Sequence, residues 1–176
     1  MRSSRRARAR FARIGAALVA FAAIMVGSAS AQPPDLPNKK EPIHGITTSG
    51  QPSAEQLAAA AAAGYKTVID LRAASEDRDI DEKAVVEQLG MTYISLPING
   101  AAGVTFANAA TLDELLSKAE RPVLLHCSSA NRAGALLALR AKLDGADNQS
   151  ALELGLAGGV TGMKQVVEEK LAQGHD

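Results

Sequence analysis

The sequence predicts an α/β fold of three layers, with a mainly parallel central sheet flanked by helices. Two observations carry that prediction. Short apolar runs, "TVIDLR", "TYISLP" and "PVLLH", the first rich in β-branched residues, alternate along the chain with segments of helical spacing. The last run is apolar throughout rather than at alternate positions, as in parallel strands covered on both faces. Ligands of such sheets sit beyond the carboxyl ends of the strands. The loops at 73–79, 98–108 and 127–132 reach that edge and are where chemistry is expected.

Residues 1–31 form a separate unit. "MRSSRRARARFAR" carries six arginines and no acid, an apolar run follows, and Ala29-Ser30-Ala31 precedes Gln32. That is the anatomy of a secretory signal peptide, and its apolar run is short of the roughly 20 residues a spanning helix needs. The expected product is periplasmic or secreted and holds no membrane segment after cleavage. Losing six arginines leaves 13 basic against 19 acidic residues, a net charge of −6. A mildly acidic surface argues against nucleic acid as a partner, because phosphate backbones require basic patches.

Residues 32–43, with four prolines in "QPPDLPNKKEP", read as an extended leader ahead of one domain over 44–176. "IHGITTSGQ" has room for a short strand. "PSAEQLAAAAAAG" is a helix opened by a Ser53–Gln56 capping box and stopped at Gly64. "YKTVIDLR" is a buried strand, followed by the polar loop "AASEDRD". "IDEKAVVEQLG" is an amphipathic helix with Ile80, Ala84, Val85 and Leu89 on its apolar face. "TYISLP" is the next strand, "INGAAGVTFAN" a loop, and "TLDELLSKA" a helix opened by a second capping box, Thr111 with Glu114. "PVLLH" is a strand and "RAGALLALRAKLDG" a helix ending at Gly145. Two more helices are expected near 149–156 and 162–171.

The chain's only cysteine, Cys127, lies in "PVLLHCSSANRAG". Without a partner it forms no disulfide within the chain, so it is either a buried core thiol or one kept for reactivity. Composition alone favours the core. Its place at the end of a strand, where the chain turns directly into a helix, favours reactivity. The amides from Ser128 through Ser129, Ala130 and Asn131 to Ala133 can converge above the sulfur, since a helix start has unpaired N–H groups and partial positive charge. Arg132 adds a planar, permanent charge suited to a tetrahedral oxyanion. The same field favours the thiolate, the nucleophilic form.

This segment resembles the signature of the cysteine-dependent tyrosine and dual-specificity phosphatases. The ordered set "ITTSGQPSAEQL", "AAAGYKTVIDLR", "YISLPI" and "PVLLHCSSANRAGAL" is similar to the phosphatase-like domain of the beta-lactamase-hydrolase-like protein family, over about residues 45–140. The resemblance implies a cysteine-phosphatase-like fold, Cys127 as nucleophile and Arg132 as anion ligand. Four departures stand out. Four residues rather than five separate Cys127 from Arg132, as in rhodanese-type sulfurtransferases. Ala133 stands where phosphatases carry Ser or Thr, and Ala130 where a glycine is usual, with Asn131 beside it able to take a positive φ. Asn99-Gly100 occupies the expected place of the aspartate general acid. Glu76, Asp77 and Asp79 sit on a loop reaching the same edge and are substitutes for it, although isolated acids on a polar loop are usually solvated charges.

Several other residues take supporting roles. His126 either tunes the thiolate or packs at the strand end. Asp70 and Arg72 are expected to pair across the sheet edge and brace the loops. His44 and His175 are isolated, so neither a metal nor a cofactor is expected. The mature chain has only Tyr65, Tyr93 and Phe106 as aromatics, few for stacking a phosphotyrosine ring, so a small anionic substrate is expected. The first function these features support is phosphate-monoester hydrolysis through a Cys127 phosphocysteine. A sulfurtransferase carrying a Cys127 persulfide, fed by a sulfane-sulfur donor, is the alternative, and a non-catalytic anion-binding module is a third.

Overall fold

The computed structural model describes residues 34–174; the signal peptide expected over 1–31 lies outside them. A five-stranded sheet runs in the order β1-β2-β5-β3-β4. Its strands are β1 (Lys40–Ile43), β2 (Ile46–Ser49), β3 (Thr67–Asp70), β4 (Thr92–Ser95) and β5 (Val123–His126). Only β1 pairs antiparallel, with β2; β5 lies between β2 and β3 and is parallel to both. The α/β expectation holds, and the segment read as an extended leader contributes the edge strand β1. The chain leaves β2 on one side of β5 and returns as β3 on the other, so the end of β5 faces a crevice between diverging connections.

Side chains alternate across this sheet. Val68 and Leu124 face the smaller cluster with Leu57 of α1 (Ala54–Ala62) and Val86 of α2 (Glu82–Gln88). Ile46, Ile69, Val123 and Leu125 face the larger core. That core is completed by α3 (Phe106–Lys118), α4 (Asn131–Leu143), α5 (Asn148–Ala157) and α6 (Lys164–Gln173). Among the described residues no helix is long and apolar enough to cross a membrane.

Helix α4 carries the cysteine loop at its start and runs through the core, with Arg132 to Leu139 buried without a break. Its Gly134 belongs to the quoted motif for a packing reason. A Cβ at that position would lie 2.5 Å from the carbonyl oxygen of Gly155, so only glycine lets α5 approach this closely.

The helix starts expose two misread signals. The Ser53–Gln56 capping box is formed as expected. The Thr111–Glu114 box is not: α3 begins at Phe106, capped by Thr105, whose side chain accepts from the Asn108 amide. Thr111 instead donates to the Ala107 carbonyl in mid-helix, where a capping pattern has no free amides to satisfy. Ile80 precedes α2, which is capped by Asp81.

Candidate functional site

Strand β5 delivers Cys127 to the crevice, and the loop to α4 turns at once. Ala130 makes the turn, with φ +68°, as the residue before the helix. The positive φ therefore falls on Ala130 itself, not on Asn131. The Cys127 amide donates to the Ser49 carbonyl (3.3 Å) and the Gln51 amide to the Ser128 carbonyl (3.4 Å), which fixes the loop to the end of β2. Ser129 forms an isolated bridge to Gly50. Asn131 clamps the other side: its Oδ1 accepts from the Thr161 amide (2.8 Å), the Thr161 hydroxyl (3.1 Å) and the Met163 amide (3.3 Å). The side chains of Ala130 and Ala133 are buried. So Asn131, Ala130 and Ala133 can serve a ligand through their amides, while their side chains hold the loop in place.

Cys127 is almost fully buried, at 1% exposure, at the bottom of this loop. Arg132 leaves the first turn of α4 and reaches across the crevice. Its Nη1 donates to the Ile98 carbonyl (2.9 Å) and the Leu71 carbonyl (3.4 Å), tying the loop to the connections after β4 and β3. The outward edge of the guanidinium holds Glu76. Nη1 donates to Glu76 Oε1, and Nη2 donates to Glu76 Oε2 (2.6 Å) and to Ser128 Oγ (2.7 Å). Ser128 Oγ in turn donates to Glu76 Oε2 (2.5 Å), and the Ala73 amide donates to Oε1 (2.7 Å). Glu76 is not a solvated loop charge: its carboxylate takes a forked, charge-assisted grip of the kind arginine gives oxyanions. Arg132, helped by Ser128 and the Ala73 amide against a burial penalty, holds the Glu76 carboxyl down at about 2. Glu76 and the Cys127 sulfur together raise Arg132 above its ordinary value, although burial opposes them.

Residues from all three expected loops line one cavity of about 340 Å³ beside this grip, among them Ser75, Glu76, Asn99, Gly100, Ser128 and Arg132. No aromatic side chain lines it. Asp77 is exposed. Asp79 accepts from Gln51 Nε2 (3.3 Å) at a separate cavity of about 450 Å³ against the start of α1, which contains neither Cys127 nor Arg132.

Behind the cysteine lies a second charged cluster. Asp70 and Arg72 do pair, through Arg72 Nε and Nη2 (2.9 Å each). Arg72 also donates to Glu82, and His126 Nε2 meets Glu82 Oε1 at 2.6 Å. Arg78 and the Tyr93 hydroxyl complete the shell of Asp70, at 3.0 and 2.9 Å. Burial pushes the Asp70 carboxyl up, but Arg72 and His126 outweigh it and hold the carboxyl below its usual value. Asp70, Glu82 and His126 offer donor atoms within 4.8 Å of one another. Two arginines already neutralise those carboxylates, so a cation would meet no excess negative charge. Sequence reasoning passed over Glu82, Arg78 and Tyr93, because their partners lie on other elements. His126 packs into this cluster and is fully buried.

The geometry is that of a buried thiol on a loop whose arginine grips a carboxylate of its own chain. A beta-lactamase hydrolase-like protein of Agrobacterium fabrum is 30% identical over 112 residues, covering 61% of this chain and 26% of that protein. The chain thus spans about a quarter of the length of the curated relatives it matches. TpbA of P. aeruginosa, solved in complex with pTyr, is 27% identical with a TM-score of 0.56, over 72% of this chain and 77% of that one. The core catalytic domain of the PP-IP phosphatase Siw14 from S. cerevisiae shares the fold, with a TM-score of 0.61 at 16% identity, over 80% and 88% of the two chains. Residues 18–169 match the model of one family. The chain belongs to that family, the DSP-PTPase phosphatases fused to NAD+ kinase.

Proposed function

We propose that this protein is an exported phosphatase that hydrolyses a small phosphate monoester through a Cys127 phosphocysteine. One observation carries the proposal: the Arg132 fork, on the same short loop as Cys127, already binds an oxyanion, the Glu76 carboxylate. A phosphoryl group is a competing ligand for the same donors, with the amides of residues 128–133 around it. The Cys127 thiolate attacks phosphorus, forming the S–P bond while the P–O bond to the leaving group breaks with its electron pair on oxygen. Water then attacks phosphorus, the S–P bond breaks, and the thiolate returns with release of inorganic phosphate.

TpbA, crystallised with pTyr, supports a phosphorylated ligand. The cavity here has no aromatic wall, which supports a smaller anion than a tyrosyl side chain in a protein. The basic, apolar leader over 1–31 supports export, and protein recovered from the cell envelope should begin at Gln32; an intact Met1 there would reject it. Whole-protein mass spectrometry tests the chemistry. Incubation with 2,4-dinitrophenyl phosphate should add phosphate to wild type at Cys127 and nothing to Cys127→Ser. A sulfur added by thiosulfate, with no ester turned over, would instead establish persulfide transfer.

A further inference from the structure

The transfer needs a proton at the leaving oxygen, and Asn99-Gly100 cannot supply one. We propose that Glu76 is the general acid, freed from Arg132 when the substrate's oxyanion takes the guanidinium in its place. This rests on the phosphatase reading and adds to it the residue that moves the proton.

Position makes Glu76 the candidate. It lines the same cavity as Asn99, Gly100 and Arg132, so its carboxyl already stands at the mouth where a leaving group must depart. Asp77 is exposed and Asp79 is engaged at the neighbouring cavity. Occupancy supplies the trigger. In the resting structure Nη1 is committed to Glu76, Ile98 and Leu71, and Nη2 to Glu76 and Ser128. A substrate cannot receive a forked grip from both Nη atoms unless the carboxylate moves. The Glu76 side chain is 28% exposed and borders the cavity, so its carboxylate has open space beside it to move into.

The exchange also reverses the electrostatics. The group that holds Glu76 ionised is Arg132, assisted by Ser128 and the Ala73 amide. Once a phosphate dianion has Arg132, Glu76 loses its counter-charge and gains an anion as neighbour, both of which favour the protonated carboxyl. The other groups facing it do not oppose this. Asn99, Gly100 and Met163 are neutral, and Arg78 is turned to Asp70. The protonated carboxyl then gives its proton to the leaving oxygen as the P–O bond breaks. The resulting carboxylate takes a proton from the attacking water in the second step; as phosphate leaves, Glu76 releases that proton to solvent and returns to Arg132 as the carboxylate.

Leaving-group dependence tests the role. Rates for 2,4-dinitrophenyl, 4-nitrophenyl and phenyl phosphate are measured in wild type, Glu76→Gln, Glu76→Asp and Asp77→Asn. The loss in Glu76→Gln should grow along that series and reach roughly 10²–10⁴-fold on phenyl phosphate. Its rate should also lose the fall with rising pH that deprotonation of the acid produces. Glu76→Asp should restore part of the slope, and Asp77→Asn should follow wild type. Titration with tungstate, read by calorimetry in buffers of different ionisation enthalpy at about pH 6, should show proton uptake in wild type and none in Glu76→Gln. A Glu76→Gln effect of equal size on all three esters, in either direction, overturns the acid role and leaves the phosphatase standing. Wild type that turns over none of the esters overturns both.

Discussion

Cys127 sits between two carboxylate–guanidinium clusters that differ in what surrounds them. Behind it, Asp70, Arg72, Glu82 and His126 are at most 2% exposed and bonded to one another on several sides. In front, Arg132 is nearly buried but its partner Glu76 is 28% exposed and opens on a cavity. The same pair of functional groups therefore has two uses. In the rear cluster no ligand can reach the charges, and they fix β3, β5 and α2 relative to one another. At the mouth the carboxylate borders open space, and on the reading proposed above the substrate's oxyanion takes its place on Arg132.

The largest effect should come from breaking the rear cluster. Glu82→Ala strips His126 of its hydrogen-bond partner and Arg72 of one of two carboxylates, and uncompensated buried charge costs about 3–5 kcal/mol. Glu76→Ala removes a partly exposed pair and should cost no more than about 1 kcal/mol. Urea unfolding of the two variants checks this. Equal losses would mean that the two clusters do the same structural work.

Next in size is the effect of replacing the fork by a point charge. Arg132→Lys keeps the charge but loses paired donors, and should weaken tungstate binding by roughly 10–100-fold, the scale of hydrogen bonds to a charged group. Arg72→Lys should shift the urea midpoint more than it shifts tungstate affinity. If Arg72→Lys weakened tungstate as much as Arg132→Lys, the rear cluster would belong to the binding site.

Within the loop itself, Ala130 holds a left-handed conformation that costs an L-residue about 1–2 kcal/mol. Ala130→Gly should relieve most of this, less the extra entropy glycine loses on folding and the buried methyl it removes, for a gain of less than about 1 kcal/mol. Gly134→Ala, four residues on, should destabilise, because its new methyl meets the Gly155 carbonyl. Thermal melts of the two variants should move in opposite directions.

How much of this the sequence disclosed depended on the distance between partners. Strand and helix periods are local, so the layer order could be read from runs of a few residues. The cysteine loop could be read as well, because the cysteine, the loop amides and the arginine are consecutive. Glu76 and Arg132 are 56 residues apart and Glu82 and His126 are 44 apart. Nothing in the loop "AASEDRD" distinguishes Glu76 from Asp77; the difference arises when β3 and β5 pair in register and bring one acid under the fork. Thr111–Glu114 failed for the opposite reason. A four-residue pattern was present, but the true start of α3 at Thr105 was hidden among small residues.

The smallest effect sharpens the comparison through pH. The Glu76 carboxyl is lowered from an ordinary 4.5 to about 2 by Arg132. For a depressed carboxyl, the stabilisation is fully present above the unfolded value and is lost as protons bind the folded state. The front pair should therefore contribute steadily above about pH 4.5 and progressively less from there down to about 2. Glu76→Gln cannot ionise, so the difference in urea midpoint between wild type and this variant should shrink across that window. Salt should shrink it too, because the pair borders solvent, whereas the penalty of Glu82→Ala should hardly respond to salt. Subtracting the variant from wild type cancels the remaining carboxylates, which are common to both. A gap that persisted unchanged to about pH 2 would show that Glu76 stabilises the fold through packing rather than through its charge on Arg132.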